Sequence, residues 1–516
     1  MEVALSINDF LDRAELVYGE RVAVVDEPAT TPGAPASLGR LTYGELAAMA
    51  RSLAVSLDEL GLEAGERVAI VSPNAARFLT TLFGVSGYGR AIVPINFRLN
   101  ADEVAYIVGH SQASVLLVDP EYDGLLRDID VKHRFVLGAE TDAELFHRDG
   151  RPKHRSDDER ATASINYTSG TTARPKGVQL THRSLWLNAS IFGWHAGVSD
   201  RDVYLHTLPM FHCNGWGLPY ALAGMGARQV VIRKIDGEDI LGRVEAEGIT
   251  FLAGAPAVVA AVLDAAAQRR ERGEQIPGRD RVRMVVAGAP PPSKVIERVE
   301  TELGWEFFQI YGLTETAPLL TVNRRRAEWD DLDPAERARL LSRAGAPAIG
   351  VRVDVDARGE VLARANHVFE GYWDQPEETA KAIVDGWFHT GDGGELDGAY
   401  LVISDRKKDV IISGGENVSS IEVEDCLYQH PAVAECGVIG VPDDKWGETV
   451  KALVVVRDGQ AVTEVEVIEH CRSRLAHFKC PTSVEFRDAL PRTATGKLQK
   501  FKLRSGYWAG QDRQVH

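Results

Sequence analysis

Residues 166–178 read NYTSGTTARPKGV, directly after the apolar-leaning ATASI. Hydroxyls at Thr168, Ser169, Thr171 and Thr172 surround Gly170, and Lys176 and Gly177 close the stretch. Glycine lets a backbone approach a ligand closely, and its amide together with Ser and Thr hydroxyls can ring an anion. Lys176 adds a point charge. The order of residues is not that of the G-x-x-x-x-G-K-[ST] loop, because Gly177 follows the lysine. By itself the stretch reads as either a phosphate cradle or a polar turn.

Its surroundings set the fold class. ERVAIVSPN (66–74) reads as a buried strand, and AARFLTTLFGVSGYG as the helix after it. AIVPIN, SVLLVD, RQVVIRK, ITFLAGAP and VRMVVAGAP repeat the strand signal, each running into a turn or a Gly/Pro loop. Alternating strands and helices imply largely parallel sheets covered by helices, with ligands gathering beyond the strand ends. Near residue 400 the texture changes to short strands and glycine turns (AYLVISDRKKDVIISGGENVSS). Helix, strand and helix patterns then follow in a compact α+β unit. The charged DRKKD turn between them reads as either a solvated turn or a hinge.

A chain of 516 residues exceeds one core, so at least two domains are expected. The net charge of −17 argues against general nucleic-acid binding but leaves room for a nucleotide pocket with local cations. Cys213, Cys426, Cys436, Cys471 and Cys480 form no CxxC pair or disulfide framework. No run reaches the ~18 apolar residues of a membrane span, and the N-terminus carries acids where a signal peptide would be apolar. A cytoplasmic protein is expected. GVSGY (84–88) lacks the spacing of a G-x-S-x-G hydrolase elbow.

Further polar loops follow apolar runs: QIYGLTET (309–316), WFHTGDGGEL (387–396) and PRTATGKLQK (491–500). With YTSGTTARPKGV and DRKKD they occur here in the order and at the separations found in the adenylate-forming (ANL) superfamily. MFHCNG (210–215), LAGAPAVV (252–259), GYW (371–373) and GVPDDKWGE (440–448) extend the match over nearly the whole chain. The sequence resembles the acyl-CoA synthetase, or fatty acid–CoA ligase, branch. The resemblance implies an α/β fold: a large N-terminal region of two αβ sheets plus a small β-barrel, and a small mobile α+β C-terminal domain. The implied boundaries are 1–405 for the adenylation region, 406–408 for the hinge and 409–516 for the mobile domain.

The implied reaction is AMP-forming acid–CoA ligation with ATP, Mg²⁺ and coenzyme A. Thr168, Ser169, Gly170, Thr171, Thr172 and Lys176 would cradle phosphates, with Thr168 and Glu315 on Mg²⁺. Catalysis would rest on Lys497, Glu315 and Thr314. Gly288, Ala289, Pro290, Gln309, Ile310, Tyr311 and Gly312 would surround adenine, and Asp392 with Arg406 would take the ribose. His212, Trp216 and Gly288 would line the acyl pocket. Gly414, Gly415, Phe478 and Lys479 would meet coenzyme A after rotation about Lys408. The partners expected are a small carboxylic acid, ATP and coenzyme A, without nucleic acid or a transmembrane segment; a homodimer is compatible with this reading. His212 stands where amino-acid-activating relatives carry an acid, which favours a neutral organic acid, fatty or otherwise small and hydrophobic. Aryl acids, sulfur-containing short acids and transfer to a carrier protein remain as alternatives. Two stretches depart from relatives, at Ser419–Ser420 and at Ala365, and neither is assigned chemistry.

Overall fold

The computed structural model describes residues 3–27, 33–168, 174–288, 291–406, 409–413, 416–443, 446–493 and 498–508. The side chains of Asp405, Arg406 and Asn417 lie outside that description, as do Ser169 to Thr172, Ala289, Pro290, Lys408, Gly414, Gly415 and Lys497 in full.

The segment Arg67–Val71 is apolar and β-branched, and it pairs parallel with Ala91–Ile95 on one side and Ala113–Val118 on the other. The following helix, Ala76–Ser86, is buried along its whole length; its polar residues are satisfied inside, with Arg77 paired to Asp142 and Thr80 and Thr81 donating back to Ala76 O and Arg77 O. Ala101–Ser111 is amphipathic. It buries Val104, Ile107, Val108 and Ser111 at helical spacing, and Asn100 and Glu103 close a reciprocal capping box at its start. These units build a seven-stranded sheet that ends in Thr162–Thr168, Lys176–Thr181 and Gly371–Tyr372.

A second sheet has nine strands. At its centre Glu306–Gly312, Arg283–Val286, Phe251–Gly254, Val203–His206, Arg228–Val231 and Val22–Val25 run parallel. One buried cluster joins the two sheets, with Ile70, Val93 and Ile165 from the first and Val24, Val285 and Phe308 from the second. A separate cluster covers the other face of the nine-stranded sheet, where Leu252, Met284 and Phe307 meet Ile240 and Val259. The third sheet is five-stranded and antiparallel, built on the long strand Trp387–Asp397. It stands where the resemblance implied the small barrel.

Beyond residue 410, Gly447–Val456 is the centre of a fourth sheet with Val433–Asp443, Ile411–Ser413 and a parallel Ser483–Phe486. Two helices, Ser420–Tyr428 and Glu464–Arg472, bury Val423, Leu427, Val467 and Cys471 in a core of its own. This unit touches the N-terminal region where Ser293 N donates to Asp425 Oδ1 at 2.8 Å and Ser419 Oγ donates to Ser404 O.

Candidate active site

Parallel strands deliver their carboxyl ends to one side of a sheet, and among the expected residues Gly288, Gly312, Thr314 and Glu315 lie at such ends. Gly288 lies just beyond Arg283–Val286, Gly312 ends its strand, and Thr314–Thr316 forms a short 3-10 turn directly after it. Gly312 tolerates no side chain, since a Cβ there would lie 1.5 Å from Pro318 O. That close approach bends the chain so that Thr314 is buried while Glu315 stays half-buried. Gly288 has φ +92° and open space where a Cβ would project.

Thr168 ends the neighbouring sheet's strand and is the Cα partner of Lys176 across the antiparallel pair; two residues on, Val178 pairs with Tyr372. Tyr372 is the connection between the sheets. Its hydroxyl donates to Glu315 Oε1 at 2.9 Å, and Lys176 Nζ sits 4.8 Å from its ring centroid. Backbone contacts hold the same segment: Phe369 N donates to Glu315 O at 2.7 Å, and Trp373 N to Gly177 O at 2.7 Å. Burial, and then the Glu315 charge, push the Tyr372 hydroxyl above its ordinary pKa, so it stays a neutral donor. Lys176 also meets the Glu378 carboxylate at 2.5 Å.

Asp392 is buried in the third sheet at the bend of Trp387–Asp397, opposite Arg406 in register. Tyr311 Oη donates to its Oδ2 at 2.8 Å, which ties the third sheet to the nine-stranded one. Asp392 N donates to Thr390 Oγ1 at 3.1 Å, and the preceding Gly391 N to Glu360 Oε1 at 3.0 Å. The neighbours of Tyr311 divide. Ile310 joins the core between the sheets, and Gln309 is buried with no hydrogen-bond partner for its Oε1 among the described residues.

His212 precedes an unusual turn. Cys213, Asn214, Gly215, Trp216 and Gly217 all have positive φ, from +47° to +76°. A left-handed run of L-residues costs about 1–2 kcal/mol per residue and needs outside support. Asn214 supplies much of it from a fully buried position. Its Oδ1 lies 3.1 Å from both Ser164 Oγ and Asn166 Nδ2 of the strand that leads to Thr168. Asn188 Nδ2 donates to Trp216 O at 2.9 Å, and the Trp216 side chain is buried in the core between the sheets. Cys213 Sγ approaches Thr314 O at 3.9 Å. Burial and the nearby Glu315 raise its thiol pKa, which keeps it a neutral packing group.

In the C-terminal unit Phe478 is exposed and Lys479 Nζ pairs with both Glu422 oxygens at 2.7–2.8 Å. Sequence reading passed over the roles of Tyr372, Glu378, Ser164, Asn166 and Asn214. Ser164, Asn166, Asn214 and Tyr372 lie inside stretches quoted for other reasons, and Glu378 lies in none of them.

The AMP-binding enzyme model matches residues 11–373, and the AMP-binding enzyme C-terminal domain model matches residues 422–497. A 2-methylpropanoate–CoA ligase of Humulus lupulus is 37% identical, with 96% of this chain and 94% of that protein aligned. A 4-hydroxybutyrate–CoA ligase of Metallosphaera sedula is 36% identical over 96% and 93%. Among solved structures, an anthranilate CoA ligase in complex with anthranoyl-AMP superposes with a TM-score of 0.86 at 26% identity, covering 98% of each chain. With both family models matched in order, the chain belongs to the AMP-binding enzymes, in the AMP-forming acid–CoA ligase branch of the adenylate-forming superfamily.

Proposed function

We propose that this chain converts a short carboxylic acid, of the size of 2-methylpropanoate or 4-hydroxybutyrate, to its acyl-adenylate and then to the coenzyme A thioester. The observation that carries this reading is the contact chain from Lys176 through Tyr372 to Glu315, with Tyr311–Asp392 beside it. It sets a cation, a carboxylate suited to a metal and a carboxylate suited to vicinal hydroxyls at the strand ends of three sheets. Those are the groups an adenylation site needs.

Thr168 and Glu315 would hold Mg²⁺. They fit it: hydroxyl and carboxylate are hard oxygen donors, Tyr372 fixes the orientation of the carboxylate, and Mg²⁺ commonly takes one or two protein ligands with water and phosphates. Bound there, Mg²⁺ would neutralise charge on the polyphosphate. The chain's own groups do the remainder. Lys176 and the 168–172 loop position the outer phosphates, and Asp392, oriented by Tyr311, takes the ribose. Gly288, with no Cβ, leaves space for the base or the acid. Lys497 bridges the acid carboxylate and the α-phosphate, a task suited to a flexible point charge. Positioning and electrostatics of this kind supply most of the acceleration in phosphoryl and acyl transfer.

We propose boundaries at 1–405, 406–408 and 409–516, with rotation at Lys408 exchanging Lys497 for the Gly414–Gly415 face, Phe478 and Lys479 during thioester formation. The curated relatives' four-carbon acids and the apolar setting of Trp216 favour a short acid. The test is pyrophosphate release over C2–C12, branched, ω-hydroxy and aryl acids, with and without coenzyme A. A four- or five-carbon optimum with coenzyme A-dependent AMP release is expected. A preference for benzoate-type acids would replace this substrate reading, and adenylation with transfer only to a carrier protein would replace the acceptor.

A further inference from the structure

The segment 369–382 holds both charged partners of the phosphate site at once, and one of its side chains does so with the wrong sign for a substrate contact. Glu378, on the helix Pro376–Ala382, places Oε2 2.5 Å from Lys176 Nζ and Oε1 2.7 Å from Lys381 Nζ. Lys176 and Glu378 are 21% and 33% exposed, so the pair lies at the rim, within reach of an entering anion. The helix is tied to the strand that carries Tyr372. Thr379 Oγ1 accepts from Tyr372 N at 2.9 Å and donates to Gln375 O at 3.0 Å. Gly371 fits only because a Cβ there would meet Thr379 Cγ2 at 2.8 Å. Glu378 is therefore held against Lys176 by the same short segment that sets Tyr372 on Glu315.

We infer that Glu378 is a positioning residue whose carboxylate occupies the place of a phosphate oxygen on Lys176, so that triphosphate binding exchanges one anion for another. Three features support the exchange. The carboxylate has a second partner, Lys381, and so keeps an ion pair when Lys176 leaves it. Lys176 and Lys381 hold it down to about pKa 2, so it is an anion whenever the site is in use. The Tyr372 ring lies 4.8 Å from the Lys176 ammonium while its hydroxyl donates to Glu315, so a lysine released by Glu378 still has a contact beside the site. The placeholder prevents Lys176 from folding away before substrate arrives, and it lowers triphosphate affinity by the strength of the pair that must break.

This inference rests on the adenylation reading above. Its test is calorimetric binding of MgATP and of inorganic tripolyphosphate to the full chain as wild type, E378Q, E378D, K176Q and the E378Q/K176Q double variant. E378Q should bind both ligands about two- to fivefold more tightly, the range of a partly exposed ion pair. E378D should restore the wild-type value, and the effect of E378Q should vanish in the K176Q background. Unchanged or weaker binding by E378Q, with wild-type binding intact, overturns the placeholder and leaves the adenylation reading standing. If the wild type binds neither ligand, the adenylation reading fails and the placeholder fails with it.

Discussion

Asn214→Ala removes the group that supports the left-handed turn behind His212. Its Oδ1 faces two donors, but Ser164 Oγ keeps a second acceptor, Asn166 Oδ1, at 2.7 Å. The substitution thus strands one buried donor, Asn166 Nδ2, at a cost of about 1–3 kcal/mol. Position 214 has φ +51°, which Asn accepts more readily than Ala, adding about 1 kcal/mol. The total is roughly 2–4 kcal/mol, a fall in Tm on the order of 2–5 °C for a region of about 400 residues. Asn214→Gly separates the two contributions: it strands the same donor but accepts the backbone angle, and it should melt above the alanine variant. Because the turn carries His212 and Trp216, the alanine variant should also raise KM for the acid more than KM for ATP. Thermal unfolding and initial-rate kinetics on the three proteins measure both. An alanine variant with the wild-type Tm, or a glycine variant less stable than it, would refute the support assigned to Asn214.

Lys497→Ala should lose two to four decades of adenylation, on the order expected for one electrostatic group, while thioester formation from supplied acyl-AMP largely survives; equal loss of both half-reactions would remove the lysine from the first step. Glu315→Gln should raise the Mg²⁺ concentration giving half-maximal pyrophosphate release while leaving the far-UV spectrum unchanged, and an unmoved Mg²⁺ dependence would place the ion elsewhere. Tyr311→Phe deletes a hydrogen bond to a buried carboxylate worth about 1.5–3 kcal/mol, so ATP affinity should fall by roughly tenfold or more with the acid KM little changed. His206, fully buried and hydrogen-bonded to Gln229, is pushed down to about 4 by desolvation. The folded chain then binds fewer protons than the unfolded chain between about pH 6.5 and 4, so this contribution is complete above about 6.5 and is lost as pH falls towards 4. Tm should drop across that window, and His206→Gln should make the drop shallower; an unchanged slope would assign it to other groups.

What could be read along the chain was what depends on neighbours in sequence. The strand–helix units from Arg67 to Val118 were visible as apolar runs and helical spacing, and the loop after Glu306–Gly312 as a polar break at a strand end. What stayed hidden depends on separation. Tyr372 lies 57 residues from Glu315, and Glu378 lies 202 from Lys176. Nothing local marks either pair. Arg77 and Arg90 sit in or beside apolar runs where a charge usually signals surface. They are 2% and 0% exposed because Asp142 and Asp58 meet them at 2.5 Å, and breaking such a buried pair costs about 3–5 kcal/mol. The strand Val22–Val25 pairs locally with Arg40–Thr42, but it joins the parallel run of the sheet by pairing with Gln229–Val230, some two hundred residues later.

The strand Thr162–Thr168 shows why these separations matter for chemistry. Side chains alternate along a strand, so Ser164, Asn166 and Thr168 project from one face. The first two hold Asn214 and with it the turn that carries His212 and Trp216. The third, two residues on and so about 7 Å along the strand, ends it opposite Lys176, where the proposed function places the phosphates. In the proposed reaction the acid and the α-phosphate must come within about 3–3.5 Å of one another. On the proposed reading, one strand carries the support of the acyl turn at one point and leads into the phosphate loop at its end, so it sets the separation between them before either substrate binds. Tyr372 does the same across the other direction, linking Lys176 to Glu315. A displacement at Ser164 or Asn166, though neither side chain needs to touch a substrate, would move one half of the site relative to the other, and its signature is a loss in kcat with both KM values nearly kept.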